Sequence, residues 1–174
     1  MILTPEITIL SGLTFWNNTD TKKYQTEIEV DIVPTYHSSV PEIVWGIDHA
    51  VDRTQLSQPT TLKFNQLLTA GPHSVIIDFV NKQDADCVPH LGLDKYITIG
   101  DIRINSIHLP RFNWLATYEP VFPEPWLSQQ NPRPNPVQTG ETHLGWNGRW
   151  QLKFNAPVFS WIHQIENMGW VWHT

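Results

Sequence analysis

The sequence predicts an all-β protein, an antiparallel β-sandwich of the jelly-roll kind. Three observations lead there. Residues 24–32 place apolar or β-branched side chains (Tyr24, Thr26, Ile28, Val30, Ile32) at every second position, with Gln25, Glu27, Glu29 and Asp31 between them. That period of two puts one face on a core and the other in water. Short apolar runs then follow one another, divided by Gly, Pro, Asn and Asp. No stretch of normal helix length carries a 3.6-residue apolar period, which excludes the alternating α/β classes.

Each further strand has its own signal. Residues 42–47 form a short apolar run, and residues 60–64 alternate. Ala70-Gly71-Pro72 reads as a turn into residues 73–80, which are apolar on both faces beyond Ser74 and so belong at a sheet centre. In residues 95–109 the apolar parity changes at Gly100-Asp101 and again at Asn105-Ser106. A one-residue slip exchanges the faces of a strand, so a bulge or bend is expected at each point. Residues 149–154 alternate again, and residues 157–162 are expected to continue as the closing strand.

Two regions lie outside this pattern. Residues 1–22 read as an N-terminal arm or an extra edge strand before a sandwich domain of residues 23–174. Within that domain, residues 110–148 hold seven of the 14 prolines and read as a long Pro-rich connector without a strand. Its aromatics Trp114, Tyr118 and Trp126 suggest that it folds back on the sheet or meets a partner.

Composition narrows the function. Nine Trp and seven Phe among 174 residues supply a core despite a charged fraction of only 16%. The net charge is -6 and the eleven Lys and Arg are scattered, which argues against a nucleic-acid partner. No apolar run approaches a membrane span, and Met1-Ile2-Leu3-Thr4-Pro5-Glu6 lacks the basic start of a signal peptide. The expectation is a protein made and used without secretion or membrane insertion. One cysteine excludes an internal disulfide. Cys87, beside Asp86, lacks the electropositive setting of a reactive thiol, and no G-x-S-x-G elbow is present, so no catalytic residue is assigned.

Asp84, Asp86 and Asp94 share one acidic loop. Closely spaced oxygen ligands are what Ca²⁺ takes, so these three are the candidate metal ligands, against the plainer reading of a solvated polar turn. No cofactor is otherwise expected. His49 with Asp48 and Asp52 reads as a surface turn. Asn147-Gly148 favours a tight turn or strand entry that sends Trp150 into the core and leaves Trp146 as a candidate exposed platform. Trp170 and Trp172, after the interruption at Met168-Gly169, suit docking on a neighbour.

Two resemblances extend this reading. Residues 71–82 (Gly71-Pro72-His73 through Asn81-Lys82), residues 94–104 and residues 144–161 (Leu144-Gly145-Trp146-Asn147-Gly148 through Pro157-Val158-Phe159-Ser160-Trp161) resemble segments of a group of tailed-phage proteins. That resemblance spans roughly residues 24–165. It implies a non-enzymatic virion component, located in the virion, acting through contacts with other virion proteins and as a homo-oligomer. Residues 79–105 are similar to calcium-dependent carbohydrate-binding modules. The displaced Asp101 departs from their pattern, but the likeness implies the alternative of a calcium-assisted glycan-binding module. The candidate glycan- or partner-binding residues are Trp114, Tyr118, Trp126, Trp146, Trp170 and Trp172.

Overall fold

The structure, a computed structural model, describes residues 22–168. The expected class is what it shows: two antiparallel sheets enclose one core. The strands are β1 (Lys23–Thr35), β2 (Glu42–Ile47), β3 (Asp52–Gln55), β4 (Thr60–Thr69), β5 (Gly71–Phe79), β6 (Tyr96–Ile104), β7 (Ile107–His108), β8 (Thr117–Pro120), β9 (Gln138–Thr139), β10 (His143–Leu144) and β11 (Gly148–Ala156). Two short helices are α1 (Arg111–Leu115) and α2 (Val158–Ile165). One sheet runs β10-β6-β1-β4, with β7 also on β6; the other runs β3-β2-β5-β11-β8-β9.

The chain passes repeatedly from one sheet to the other, as in jelly rolls. Ala70 is the sharpest crossing: β4 pairs with β1, whereas β5 begins one residue later and pairs with β2 and β11. Gly71 takes φ 121° there, a conformation that favours glycine. Alternate residues of β1 (Ile28, Val30, Ile32) and β6 (Ile97, Ile99, Ile102, Ile104) meet Val75, Ile77 and Phe79 of β5 and Trp150, Leu152 and Phe154 of β11. β5 is central in its sheet and buries Ile76 on its other face as well.

Both parity changes in residues 95–109 have a structural cause. β1 pairs Val30 with Ile102 but Ile32 with Ile99, so Gly100 and Asp101 oppose Asp31 alone in a bulge. Asn105 and Ser106 take φ 49° and 64° in a two-residue hairpin between β6 and β7.

Two expectations need correction. Residues 157–162 do not continue as a strand. Pro157 starts α2, whose Val158, Trp161 and Ile162 are buried on one face, with Phe112 stacked on Trp161 at 5.6 Å. The apolar positions 158, 161, 162 and 165 follow the helical spacing. Residues 110–148 are not strandless either: besides α1 they supply β8 and β9, which extend one sheet beyond β11, and β10, which pairs with β6 in the other. Strands of two to four residues are too short for periodicity to reveal. Residues 1–21 lie outside the described part of the chain, and with them nearly all of the expected N-terminal arm.

Candidate functional site

The site is built where β5, β8 and β11 end together. Asn81, just past β5, accepts from the Glu42 N–H through Oδ1 and donates to the Val40 carbonyl through Nδ2, both at 2.8 Å. Asn147, just before β11, does the same to Lys82: its Oδ1 accepts from the backbone N–H and its Nδ2 donates to the carbonyl, again at 2.8 Å. Two side-chain amides thus replace the sheet ladder where it stops and fix the loop that follows.

That loop carries the three candidate metal ligands, and the structure does not bring them together around a cation. Asp86 is buried, 3.1 Å from the ammonium of fully buried Lys95, which also donates to Ser39 Oγ at 2.6 Å and the Asn81 carbonyl at 2.8 Å. Burial alone would push the Asp86 carboxyl up, but hydrogen bonds from Ser38, the Gln83 N–H and Lys95 outweigh it and hold it at about 2. Asp94 accepts from Lys82 Nζ at 2.6 Å. Asp84 opens a 3₁₀ turn and is exposed. No group of three His, Cys, Asp or Glu suited to a metal exists among the described residues. Lysine ammoniums stand against two of the three carboxylates, Asp86 and Asp94.

Above this loop is a cleft of about 280 Å³, with Trp126, Trp146, Lys82 and Asn147 in its walls and Gln83, Asp84 and Glu124 on its rim. The Trp126 and Trp146 rings lie 5.1 Å apart and 42° from parallel, and Phe122 packs against both. The Lys82 ammonium sits over the Trp146 ring, 5.3 Å from its centroid, and also donates to the Gly145 carbonyl at 2.6 Å. A tilted pair of half-buried indoles beside carboxylates and amides offers an apolar face and a hydrogen-bonding edge within one small space.

The other aromatic candidates separate. Tyr118 is not an exposed contact residue. It is 1% exposed, its hydroxyl donates to the Trp146 carbonyl and accepts from the Trp146 N–H at 3.1 Å, and burial pushes its ionisation well up. Trp114 is 72% exposed on α1 and takes no part in the cleft of Trp126 and Trp146. Trp170 and Trp172 lie outside the described residues. Trp150 is fully buried, as its strand pattern requires.

Phe122, Lys82 and Glu124 are members of the site that sequence reasoning missed. The signal was there: Phe122-Pro123-Glu124-Pro125-Trp126 alternates rings with prolines, so a stiff backbone holds two aromatics in one direction.

No family model matches the chain, and no curated protein matches it in sequence. Among solved structures it is similar to vCBM60, described with two families of calcium-dependent carbohydrate-binding modules. The TM-score is 0.44 and the identity 11%, over 73% of this chain and 89% of that one. The likeness is one of fold.

Proposed function

We propose that the chain is a non-catalytic recognition module that binds a glycan in the cleft walled by Trp126 and Trp146. The observation that carries the reading is the indole pair itself, 5.1 Å apart and bordered by acceptors. A pyranose ring has one face of C–H groups and a rim of hydroxyls. Indoles complement the face, and Asp84, Glu124 and Gln83 accept from the hydroxyls. A purely apolar ligand would make no use of those acceptors. At about 280 Å³ the cleft lies just under the ~300–1,000 Å³ of drug-sized sites, a size for one ring.

Binding on this reading proceeds without calcium, because Lys82 and Lys95 already neutralise Asp94 and Asp86. Titration calorimetry against a panel of neutral and charged oligosaccharides tests it. Trp146→Ala and Trp126→Ala should each weaken the best ligand at least tenfold with the melting temperature little changed, and EDTA should leave affinity as it was. Binding that survives both substitutions would remove the cleft from the function.

A second reading, a component of a viral particle acting through protein contacts, is favoured by a different surface. Trp114 on α1 (72% exposed) and Phe159 on α2 (59% exposed) face solvent on two helices that Arg111 joins through Glu166 and the Ile165 carbonyl. Large exposed rings mark contact surfaces more often than ordinary ones. Sedimentation of the purified chain and mass spectrometry of purified particles test it; a strict monomer absent from particles would end it.

A further inference from the structure

Trp146 is a shared wall. It also lines a second compartment of about 260 Å³, together with Asp94, Glu141, His143, Gln138 and Tyr118. Lys82, Cys87 and Trp146 border both spaces. The first compartment has Trp126 and Trp146 in its walls, whereas the second sets Asp94, Gln138, Glu141 and His143 around Tyr118 and Trp146. Each is near the size of one ring, so a ligand that fills both must have two units with the linkage crossing beside Trp146.

The charges of this groove are unbalanced. Asp84 and Glu124 line the first compartment, Asp94 and Glu141 the second, and among the described residues Lys82 is the one lysine or arginine lining either. Its charge is already committed to Asp94 at 2.6 Å. Among the described residues, Asp84, Glu124 and Glu141 form no ion pair within 4.0 Å. Glu141 is half-buried, and its Oε1 accepts from the His143 N–H at 2.8 Å, which fixes its carboxylate at the compartment's edge. Its charge reaches the floor, where it disfavours ionisation of Tyr118. A cleft lined by one sign of charge focuses the field and concentrates ligands of the opposite sign.

The groove also shows that its walls accept an ammonium. Lys82 places one over the Trp146 ring, against a carboxylate and a carbonyl oxygen. An ammonium on a ligand would meet the same chemistry: an indole face together with the unpaired carboxylate of Glu141 or Glu124.

Resting on the proposed glycan reading, we infer that the two compartments form one groove for an oligosaccharide of at least two units carrying free amino groups, and that the groove discriminates against uronate or sulfated chains. One ring lies against Trp126 and Trp146, and the amino group of the next is held by Glu141.

Calorimetry with three matched oligomers at low salt tests this: a glucosamine oligomer, its N-acetylated neutral counterpart and a uronate oligomer of equal length. The glucosamine oligomer should bind at least tenfold more tightly than the neutral one, and the uronate oligomer should not bind. The preference should shrink several-fold at 0.5 M salt, where the screening length is only a few ångströms. Glu141→Gln should lower the ratio of amino to neutral affinity three- to tenfold, and Glu124→Gln, at an exposed position, should lower it in the same direction. Equal affinity for the amino and neutral oligomers, or tighter binding of the uronate, would overturn the inference while leaving a glycan site in place. Failure of all three, and of every other oligosaccharide, would overturn the glycan reading and this inference with it.

Discussion

The buried Tyr118 hydroxyl holds both backbone polar groups of Trp146, donating to its carbonyl oxygen and accepting from its N–H. One side chain therefore sets the position of a wall that the two compartments share. Because β8 carries Tyr118 and pairs with β11, that wall is referenced to the sheet and not to its own loop.

Tyr118→Phe keeps the ring and removes only the hydroxyl. It leaves the Trp146 N–H and C=O without this partner, so stability should fall by about 1–3 kcal/mol. Ligand affinity should drop about three- to tenfold, through faster dissociation. Urea unfolding and stopped-flow binding check the two effects; an unchanged dissociation rate would show that Trp146 is positioned by other means.

Lys95 and Asp86 form a buried pair with 0% and 6% side-chain exposure. Removing one partner strands the other, at a cost of about 3–5 kcal/mol. Lys95→Met should lower the melting temperature by roughly 8 °C or more, and adding Asp86→Asn should restore part of the loss. The Asp86 carboxyl is held at about 2 against an ordinary 3.8, so its contribution is full above the ordinary value and is lost as pH falls through about 2. Acid titrations of stability from pH 5 to pH 2 should show that loss in the parent and a shallower decline in Asp86→Asn.

His73 presents both ring nitrogens to acceptors: Nδ1 to Asp48 Oδ2 at 2.7 Å and Nε2 to the Thr69 carbonyl at 2.8 Å. Only the imidazolium donates to both. Burial alone would lower its pKa, yet Asp48 and the Thr69 carbonyl raise it above the ordinary 6.5. The stabilisation is therefore complete below that ordinary value and is lost as pH rises through the higher folded value. Melting temperatures between pH 5.5 and 9 should converge for the parent and His73→Phe at the alkaline end, the parent being the more stable at the acid end. NMR titration of the ring gives the direct measurement.

Gly148 starts β11 against β8. A Cβ there would lie 2.4 Å from the Glu119 carbonyl oxygen and 2.8 Å from Pro120 Cα, both backbone atoms with no rotamer to yield. Gly148→Ala should cost about 1–3 kcal/mol and weaken ligand binding together with it, since the shift passes to Asn147 and Trp146. Full stability in that variant would mean that β8 yields freely.

The sandwich was legible where one physical cause acts over many residues. The alternation in residues 24–32 and 149–154 reflects a pleat with one buried face, and it located β1 and β11. The bulge at Gly100-Asp101 was legible because a register shift flips apolar parity. The helix at Val158–Ile165 was not, since its apolar set at 158, 159, 161 and 162 also suits a short strand until Pro157 and Ile165 are weighed. For the site, Trp126 and Trp146 could be named but not paired, because twenty residues separate them and only the fold closes that distance. Lys82 and Lys95 beside Asp94 and Asp86 were not legible either, because spacing in a loop does not reveal which lysine side chain will reach back to a carboxylate.

β11 is the last strand among the described residues and yet lies in the middle of its sheet, between β5 and β8. During synthesis the chain therefore waits, with the edge of β5 (Val75, Ile76, Ile77) unpaired, until residues near 156 have left the ribosome. A nascent chain stalled before that point exposes a long apolar strand edge of the sort that recruits other chains. Loss of β11, through a nonsense mutation or a proteolytic cut near Asn147, would accordingly yield aggregated product and not a smaller soluble domain.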